Sequence, residues 1–384
     1  MAGRCTRARS RQVRAPKAPQ GHMTTLAGRL SHAEGRSQVS PSRRMTLREL
    51  AALAGVSVST ASNALNDTGR MAEETRQLIR RLADQHGYRP NAAARSLRRA
   101  STGTIAFFLH PRTTGMGYYR SMVMTVFHLA MQHGLQIQLI GPTELDADWL
   151  VTHVDGVILS DPFFGHPRTR ALLSSGLPVV TVERPDPAMP APAGVVRSAH
   201  DIVMRRLLDG LRSRGMRQPA LVTAGTDFPT DWSGLVGEAY TSWCAEHRRT
   251  PLVRPIPFDA THRSVRRAVH DLLRQHPAVD AVIGGHEGIA IGVAGAIAEA
   301  GRQVGEDIAV ASCVDDAVLQ YCAPQITGID LFPERAVTMA FDLLLEAIDA
   351  DRRGAVDDAP TPRVLDLPPV IRWRESTPGK SPKR

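Results

Sequence analysis

Seven short hydrogen-bonding side chains, Thr46, Ser57, Ser59, Thr60, Ser62, Asn63 and Asn66, fall within the 21 residues 46–66. Hydroxyl and amide groups of this size bond phosphate oxygens and base edges. The only cation around them is arginine, since no lysine occurs between Met45 and Ala100. A different chemistry is offered by the adjacent pair His286-Glu287, which has the makings of an acid and base or of a metal ligand set. No HExxH pattern and no second histidine at ligand spacing accompanies it, so the pair reads as a ligand contact or as surface, and no metal is expected. The chain has no Walker lysine motif, no GxGxxG fingerprint and no GxSxG elbow. Neither catalysis nor a cofactor is therefore expected.

Charge is distributed in keeping with the first group. Of a formal net charge of +9 over 384 residues, residues 1–44 hold ten Arg/Lys against one acid, and residues 45–100 hold nine Arg against five acids. That leaves residues 101–384 mildly acidic, with 28 basic and 32 acidic groups. A strongly basic end on a mildly acidic body indicates a polyanion contacted from the N-terminal side. No apolar run is long enough to span a membrane and no secretory signal opens the chain, so the expected location is the cytoplasm, away from membranes. Four scattered cysteines, Cys5, Cys244, Cys313 and Cys322, form no CxxC pair and no disulfide framework. Residues 1–44, rich in Arg, Ser and Gly without apolar periodicity, read as a disordered basic extension. Three roles stay open for it: an arm that tracks phosphates, an idle tail, or sequence upstream of a true start at Met45.

Positioning the donors requires helices. Thr46-Leu47-Arg48-Glu49 spells a capping box, and Leu47, Leu50, Ala51 and Ala54 share one helical face. Gly55 breaks that helix, and Ser57 caps a second that turns Ala61, Ala64 and Leu65 inward. A third helix, about 73–86, offers Leu78, Ile79, Leu82 and Ala83 as its apolar face and stops at Gly87. Two short helices around Gly55, with small Ala51 and Ala61 at their crossing, have helix-turn-helix spacing, although spacing alone also admits an ordinary helical hairpin. Beyond residue 103, apolar strand candidates (Ile105–Leu109, Leu135–Ile140, Gly156–Leu159, Val179–Val182, Ala220–Val222, Ala281–Ile283 and Ile308–Ala311) alternate with helical stretches such as Tyr119–His133 and Ser264–Gln275. Alternation over that length predicts parallel, doubly wound sheets in two lobes, with a ligand cleft at the carboxyl ends of the strands.

The residues from Thr46 to Asn66, followed in order by Glu74-Thr75-Arg76, Gly87-Tyr88-Arg89-Pro90-Asn91 and Ala94-Arg95-Ser96-Leu97-Arg98, resemble the N-terminal signature of the LacI family of bacterial transcription regulators. The resemblance is dense over about 55 residues and diffuse over the body, and it departs at Ala61, where the family usually has valine. It implies a second helix in the major groove, with Val58, Ser59 and Asn63 facing bases and with Thr46, Ser57, Thr60, Ser62, Asn66 and Thr75 near phosphates. It also implies a hinge helix after Pro90, containing Asn91, in which Leu97 wedges into the minor groove and Arg95 and Arg98 approach phosphates. One such module reads few bases, so a homodimer on a two-fold symmetric site of double-stranded DNA is expected.

The expected fold class is thus α followed by α/β: a three-helix helix-turn-helix module with a hinge helix, then a two-lobed core similar to periplasmic binding proteins, with parallel sheets. The expected domains are 1–44 (extension), 45–88 (DNA binding), 89–102 (hinge and linker), 103–375 (effector binding and dimerisation) and 376–384 (disordered tail). The family's sugar-binding pattern is altered here: Gly234 stands where an arginine is usual, His286-Glu287 replaces Asn-Asp, and the late aspartate falls on Asp315 or Asp316. Arg112, Tyr118, Asp161, Phe163, Trp232, His286 and Asp315 are the expected contacts to a small-molecule effector of unknown identity. The function these expectations describe is a repressor whose DNA affinity responds to that effector. An effector-independent or architectural DNA-binding protein and a small-molecule binding protein without DNA function are the alternatives.

Overall fold

The computed structural model describes residues 45–88, 101–142, 146–225, 227–354 and 362–379. The extension 1–44 and the expected hinge residues Asn91, Arg95, Leu97 and Arg98 lie outside the described residues. The chain divides into two compact units at Pro90 and Asn91.

The first unit consists of α1 (Leu47–Leu53), α2 (Val58–Leu65) and α3 (Glu73–Gln85). Its capping box is formed: Thr46 Oγ1 accepts the Glu49 N–H at 3.3 Å, and the Glu49 carboxylate accepts the Thr46 N–H at 2.8 Å. Gly55 turns the chain with φ +66°, a conformation that costs other residues, and Ser57 Oγ then accepts the Thr60 N–H at 3.0 Å to start α2. Leu50, Ala61, Ala64 and Ile79 are fully buried. Alanine at 61 therefore keeps the helix crossing closed without valine's bulk. Leu78, expected inside, is 40 % exposed. Neighbours on a helix point about 100° apart, so with Ile79 and Ala83 facing the core Leu78 faces out. Asp67, between α2 and α3, takes Arg76 at 2.8 Å and Arg80 at 2.5 Å.

The second unit holds two six-stranded sheets. The first uses β1 (Thr104–Phe108), β2 (Gln136–Ile140), β3 (Gly156–Ser160), β4 (Val179–Val182), β5 (Gly194–Ser198) and, late in the chain, β11 (Arg363–Leu367), in the order β11-β5-β4-β3-β1-β2 with every pairing parallel. The second uses β6 (Pro219–Ala224), β7 (Val253–Ile256), β8 (Ala281–Gly284), β9 (Ala309–Ser312), β10 (Thr327–Asp330) and β12 (Val370–Arg372), in the order β12-β10-β9-β8-β6-β7, with only β12 antiparallel. The chain crosses between lobes three times, because β11 returns to the first sheet after β10 and β12 goes back to the second. The helix Pro333–Arg352 buries Val337, Ala340, Phe341 and Leu344 against the first sheet.

Strands β5, β7, β10, β11 and β12 were not among the expected strands. β7, β11 and β12 are sheet edges, where one side meets solvent and polar residues interrupt the apolar run, as in Arg-Val-Leu-Asp-Leu of β11. The expected disordered tail also needs correction at its start: Ser376 is completely buried, donates to Val310 O at 2.6 Å and accepts the Thr327 N–H at 2.9 Å. Just before it, the Trp373 ring lies so close to Gly210 that a Cβ there would meet it at 2.3 Å. The segment is a structural strap on the second lobe, invisible as such because its partners lie up to 66 residues away.

Candidate functional site

In the first unit, the face of α2 away from the core presents Val58, 40 % exposed, and the exposed Ser59 and Asn63. Ser57 Oγ lies 2.7 Å from Ser59 Oγ and 2.8 Å from Thr60 Oγ1, forming a hydroxyl cluster at the helix start, where free backbone N–H groups favour an anion. Some expected donors are already engaged within the unit. Thr46 Oγ1 donates to Glu49 at 2.9 Å, and Asn66 Nδ2 donates to Ser62 O at 2.7 Å. Asn63 accepts a long bond from Thr68 Oγ1 at 3.4 Å, and its amide lies over Gly69. Ser62 and Thr75 are part-buried at the rims of α2 and α3.

In the second unit, the strand ends converge on one pocket between the lobes. Tyr118, Asp161, Trp232 and His286 line it together with Tyr119, Glu183, His200 and Phe258, which were not among the expected contacts, and with Glu287, which the sequence singled out as the neighbour of His286. Asp161 follows β3 and Glu183 follows β4, both with left-handed backbone, at φ +44° and +70°. Non-glycine residues rarely sit there unless the surroundings force them, and such strain concentrates at binding sites. Asp161 is 7 % exposed and accepts the Tyr119 hydroxyl at 2.5 Å. Burial, and next the neighbouring Glu183 charge, push its carboxyl up to about 7. Glu183 accepts the Ser198 N–H and faces His200 Nε2 at 3.1 Å. Burial alone would lower the His200 imidazole, but attraction and hydrogen bonding to Glu183 outweigh it and hold it above its ordinary value. Burial likewise raises Asp231, at the start of the helix Asp231–Glu246, to about 6.

His286 stacks on Phe258 with ring centroids 4.9 Å apart, and Phe258 stacks on Phe228 at 3.6 Å. Burial lowers the His286 imidazole to about 4, so the ring is neutral at pH 7. Its Nε2 lies 3.1 Å from Phe258 O, which places the proton on Nε2 and leaves the buried Nδ1, which has no partner, as an acceptor. Two ties span the lobes. Glu287 accepts the N–H groups of Gly117 at 2.5 Å and Tyr118 at 2.9 Å, capping the helix Gly117–Gln132. Arg112 reaches Asp227 at 2.5 Å and Asp259 at 3.3 Å.

Three expected cleft residues therefore have other work. Arg112 is committed to that ion pair and lies over the Phe228 and Phe258 rings, 5.6 and 5.4 Å from their centroids. Phe163 packs edge-on to Phe228 at 4.7 Å, behind the pocket wall. Asp315 is held by Arg374 at 2.6 and 2.7 Å, and neither side chain is more than 11 % exposed. Glu183, His200 and Phe258 share one signal, since each lies just beyond the carboxyl end of a parallel strand, whereas Tyr119 sits within the helix Gly117–Gln132. Glu183 and His200 could have been found by applying that rule to β4 and β5. Among the described residues no group of His, Cys, Asp or Glu is arranged to hold a metal ion, and no helix is long and apolar enough to cross a membrane.

A three-helix module with an exposed second helix, joined in sequence to two crossover-linked parallel lobes around a ligand pocket, defines the class of ligand-responsive DNA-binding regulators. The description "Bacterial regulatory proteins, lacI family" matches residues 46–91, and "Periplasmic binding protein-like domain" matches 208–377. In its N-terminal module the chain is similar to the LacI family of bacterial transcription regulators, and the relatives it matches along most of its length are HTH-type transcriptional regulators. It is 28 % identical over 299 residues to the HTH-type transcriptional regulator CelR of Thermobifida fusca, covering 75 % of this chain and 87 % of that one. It is 26 % identical over 350 residues to the HTH-type transcriptional repressor PurR of Glaesserella parasuis serovar 5, covering 86 % and 98 %. Its fold matches that of the lac repressor dimer bound to operator and the anti-inducer ONPF, with TM-score 0.74 at 19 % identity over 88 % of this chain and all of that one.

Proposed function

We propose that this regulator is a repressor that binds a pseudo-palindromic operator as a homodimer, with its DNA affinity set by a small molecule in the inter-lobe pocket. One observation carries the DNA reading: α2 buries Ala61 and packs Ala64 into a cluster with Leu50 and Ile79 while leaving Val58, Ser59 and Asn63 outside, so the side chains able to read bases are those not used for folding. Val58 suits a thymine methyl, and Ser59 and Asn63 suit base edges. Ser57, Thr60, Ser62 and Thr75 supply phosphate contacts, with Thr46 and Asn66 contributing once their internal bonds are exchanged. The segment 89–102, with Asn91, Arg95, Leu97 and Arg98, acts as the hinge. A body that meets DNA and carries a regulatory pocket works in the cytoplasm, and none of its functions requires catalysis. The named relatives support this reading: the HTH-type transcriptional repressor PurR, a ribose operon repressor of Escherichia coli, and a CelR structure in complex with cellobiose.

Selection from random duplex DNA at two salt concentrations tests it, because phosphate binding weakens with salt far more than base readout does. The expected product is a pseudo-palindrome. With Asn63→Ala, one symmetric position loses its preference, by about 1–3 kcal/mol, with the salt slope unchanged. Equal weakening on all sequences, or no enrichment by the native chain with and without cell extract, would refute the assignment.

A second copy has a surface to dock on. Met124, Phe127 and Met131 form one exposed stripe along the helix Gly117–Gln132, at 52, 42 and 61 % exposure, beside Leu139 at 52 % on the edge strand β2. Contiguous apolar patches of this kind mark protein interfaces. Phe127→Asp with Met131→Asp should shift sedimentation from dimer to monomer and make operator binding steeply dependent on protein concentration. An unchanged dimer would place the interface elsewhere.

A further inference from the structure

Of the charged groups that line the pocket, three are carboxylates: Asp161, Glu183 and Glu287. Asp161 offers a buried carboxylate whose only side-chain donor among the described residues is Tyr119. Glu183 is matched by His200, and the Glu287 carboxylate is taken by two backbone N–H groups. His286 is 3 % exposed, and its Nδ1 has no partner. Among the described residues no arginine or lysine lines the pocket, and the nearby Arg112 is engaged by Asp227 and Asp259. An anionic ligand would face carboxylates with only His200, already paired with Glu183, to meet it, and a buried charge without a partner is costly. The rest of the wall is apolar or aromatic, including Met116, Trp232, Val236, Phe258 and Leu331.

We propose that the effector is a cation: a small molecule with a protonated amine that docks on Asp161, an N–H or O–H donor that meets His286 Nδ1, and an apolar or ring portion against Trp232 and Phe258. The inference rests on the reading of this pocket as the effector site. A positive group supplies what Asp161 lacks, and aromatic faces favour a desolvated cation. It also gives the left-handed Asp161 a purpose, since that backbone aims an otherwise disfavoured carboxylate into the pocket.

The sign of the pH dependence follows from the raised Asp161 carboxyl. Tyr119, Glu183, His200 and Asp231 face it, and of these only His200 can take a positive charge, in its pairing with Glu183. A bound cation stabilises ionised Asp161, so affinity for an amine should rise as pH rises through about 7. A neutral ligand has no such requirement.

Calorimetry and thermal shift on the full chain against two matched sets test the proposal: glucosamine, glucose and glucuronate, and tryptamine, tryptophol and indole-3-acetate. At least one amine should bind about tenfold or more tighter than its alcohol and acid counterparts, the preference expected of one charge-assisted hydrogen bond. Asp161→Asn should abolish that preference and its pH dependence. Asparagine tolerates a left-handed backbone and keeps an acceptor for Tyr119, so the variant should fold, and its ligand-free melting temperature should rise at alkaline pH. Tighter binding of an alcohol or an acid, no amine binding in either set, or a preference that survives Asp161→Asn would overturn the proposal. Selection of an operator by the same preparation, shifted by a neutral or anionic metabolite, would leave the repressor reading standing while removing the cationic effector.

Discussion

Replacing Arg374 by alanine should lower the stability of the two-lobed core by about 3–5 kcal/mol, because removing one member of a buried ion pair leaves the other charged and unpaired. Arg374 meets both Asp315 oxygens, at 2.6 and 2.7 Å, and also donates to Ile326 O at 2.7 Å. The carboxylate fits only because residue 328 is glycine, since a Cβ there would lie 2.6 Å from Asp315 Oδ1. Arg374→Ala therefore loses a carboxylate clamp, a carbonyl cap and the anchor of the C-terminal strap together. In a unit of this size the melting temperature should fall by on the order of 10 °C. Asp315→Asn should fall less, keeping an acceptor and losing the charge. Effector affinity measured well below the transition should be unchanged in both. If Asp315→Asn melted normally but failed to respond to effector, Asp315 would be a ligand residue after all.

Leu50→Ala should abolish specific DNA binding while leaving the core intact. Leu50 is fully buried, and the cluster around it contains only Ala64, Ile79 and Ala83 as other buried members. A leucine-to-alanine change in a core costs about 2–5 kcal/mol, comparable with the whole stability of a domain below 70–80 residues. The module would then be mostly unfolded, and operator affinity measured by anisotropy should drop by about 100-fold or more, since folding must be supplied by binding. The main thermal transition should not move, because the core belongs to the other compact unit. Excess operator should partly restore helicity. Undiminished operator affinity would mean that α2 is held by something other than this core.

How far such outcomes could be anticipated without the fold differs between the two units. In the first, everything that matters is local. The capping box, Gly55, the Ser57 cap and the inward Ala61 and Ala64 are separated by a few residues, and helix geometry converts that spacing directly into position. The one inward residue misjudged, Leu78, differs from Ile79 by a single helical step.

In the second unit the alternation of strands and helices carried the doubly wound architecture and hence the general place of the pocket, because parallel strands put their carboxyl ends together. It did not carry the pocket's membership. Asp161 and Glu183 become neighbours of Tyr119 and His200 only when three strands align in the first sheet, and Asp315 leaves the pocket only because Arg374, 59 residues away, returns on the final crossover to hold it. The edge strands and the Ser376 strap depend on partners equally remote. A sequence determines contacts within one helical turn or one strand by covalent geometry, so it determined the reading helix and the order of elements. Which charged groups are neutralised by one another and which are left facing a ligand is a matter of pairing across the chain, and that only the packed tertiary structure decided.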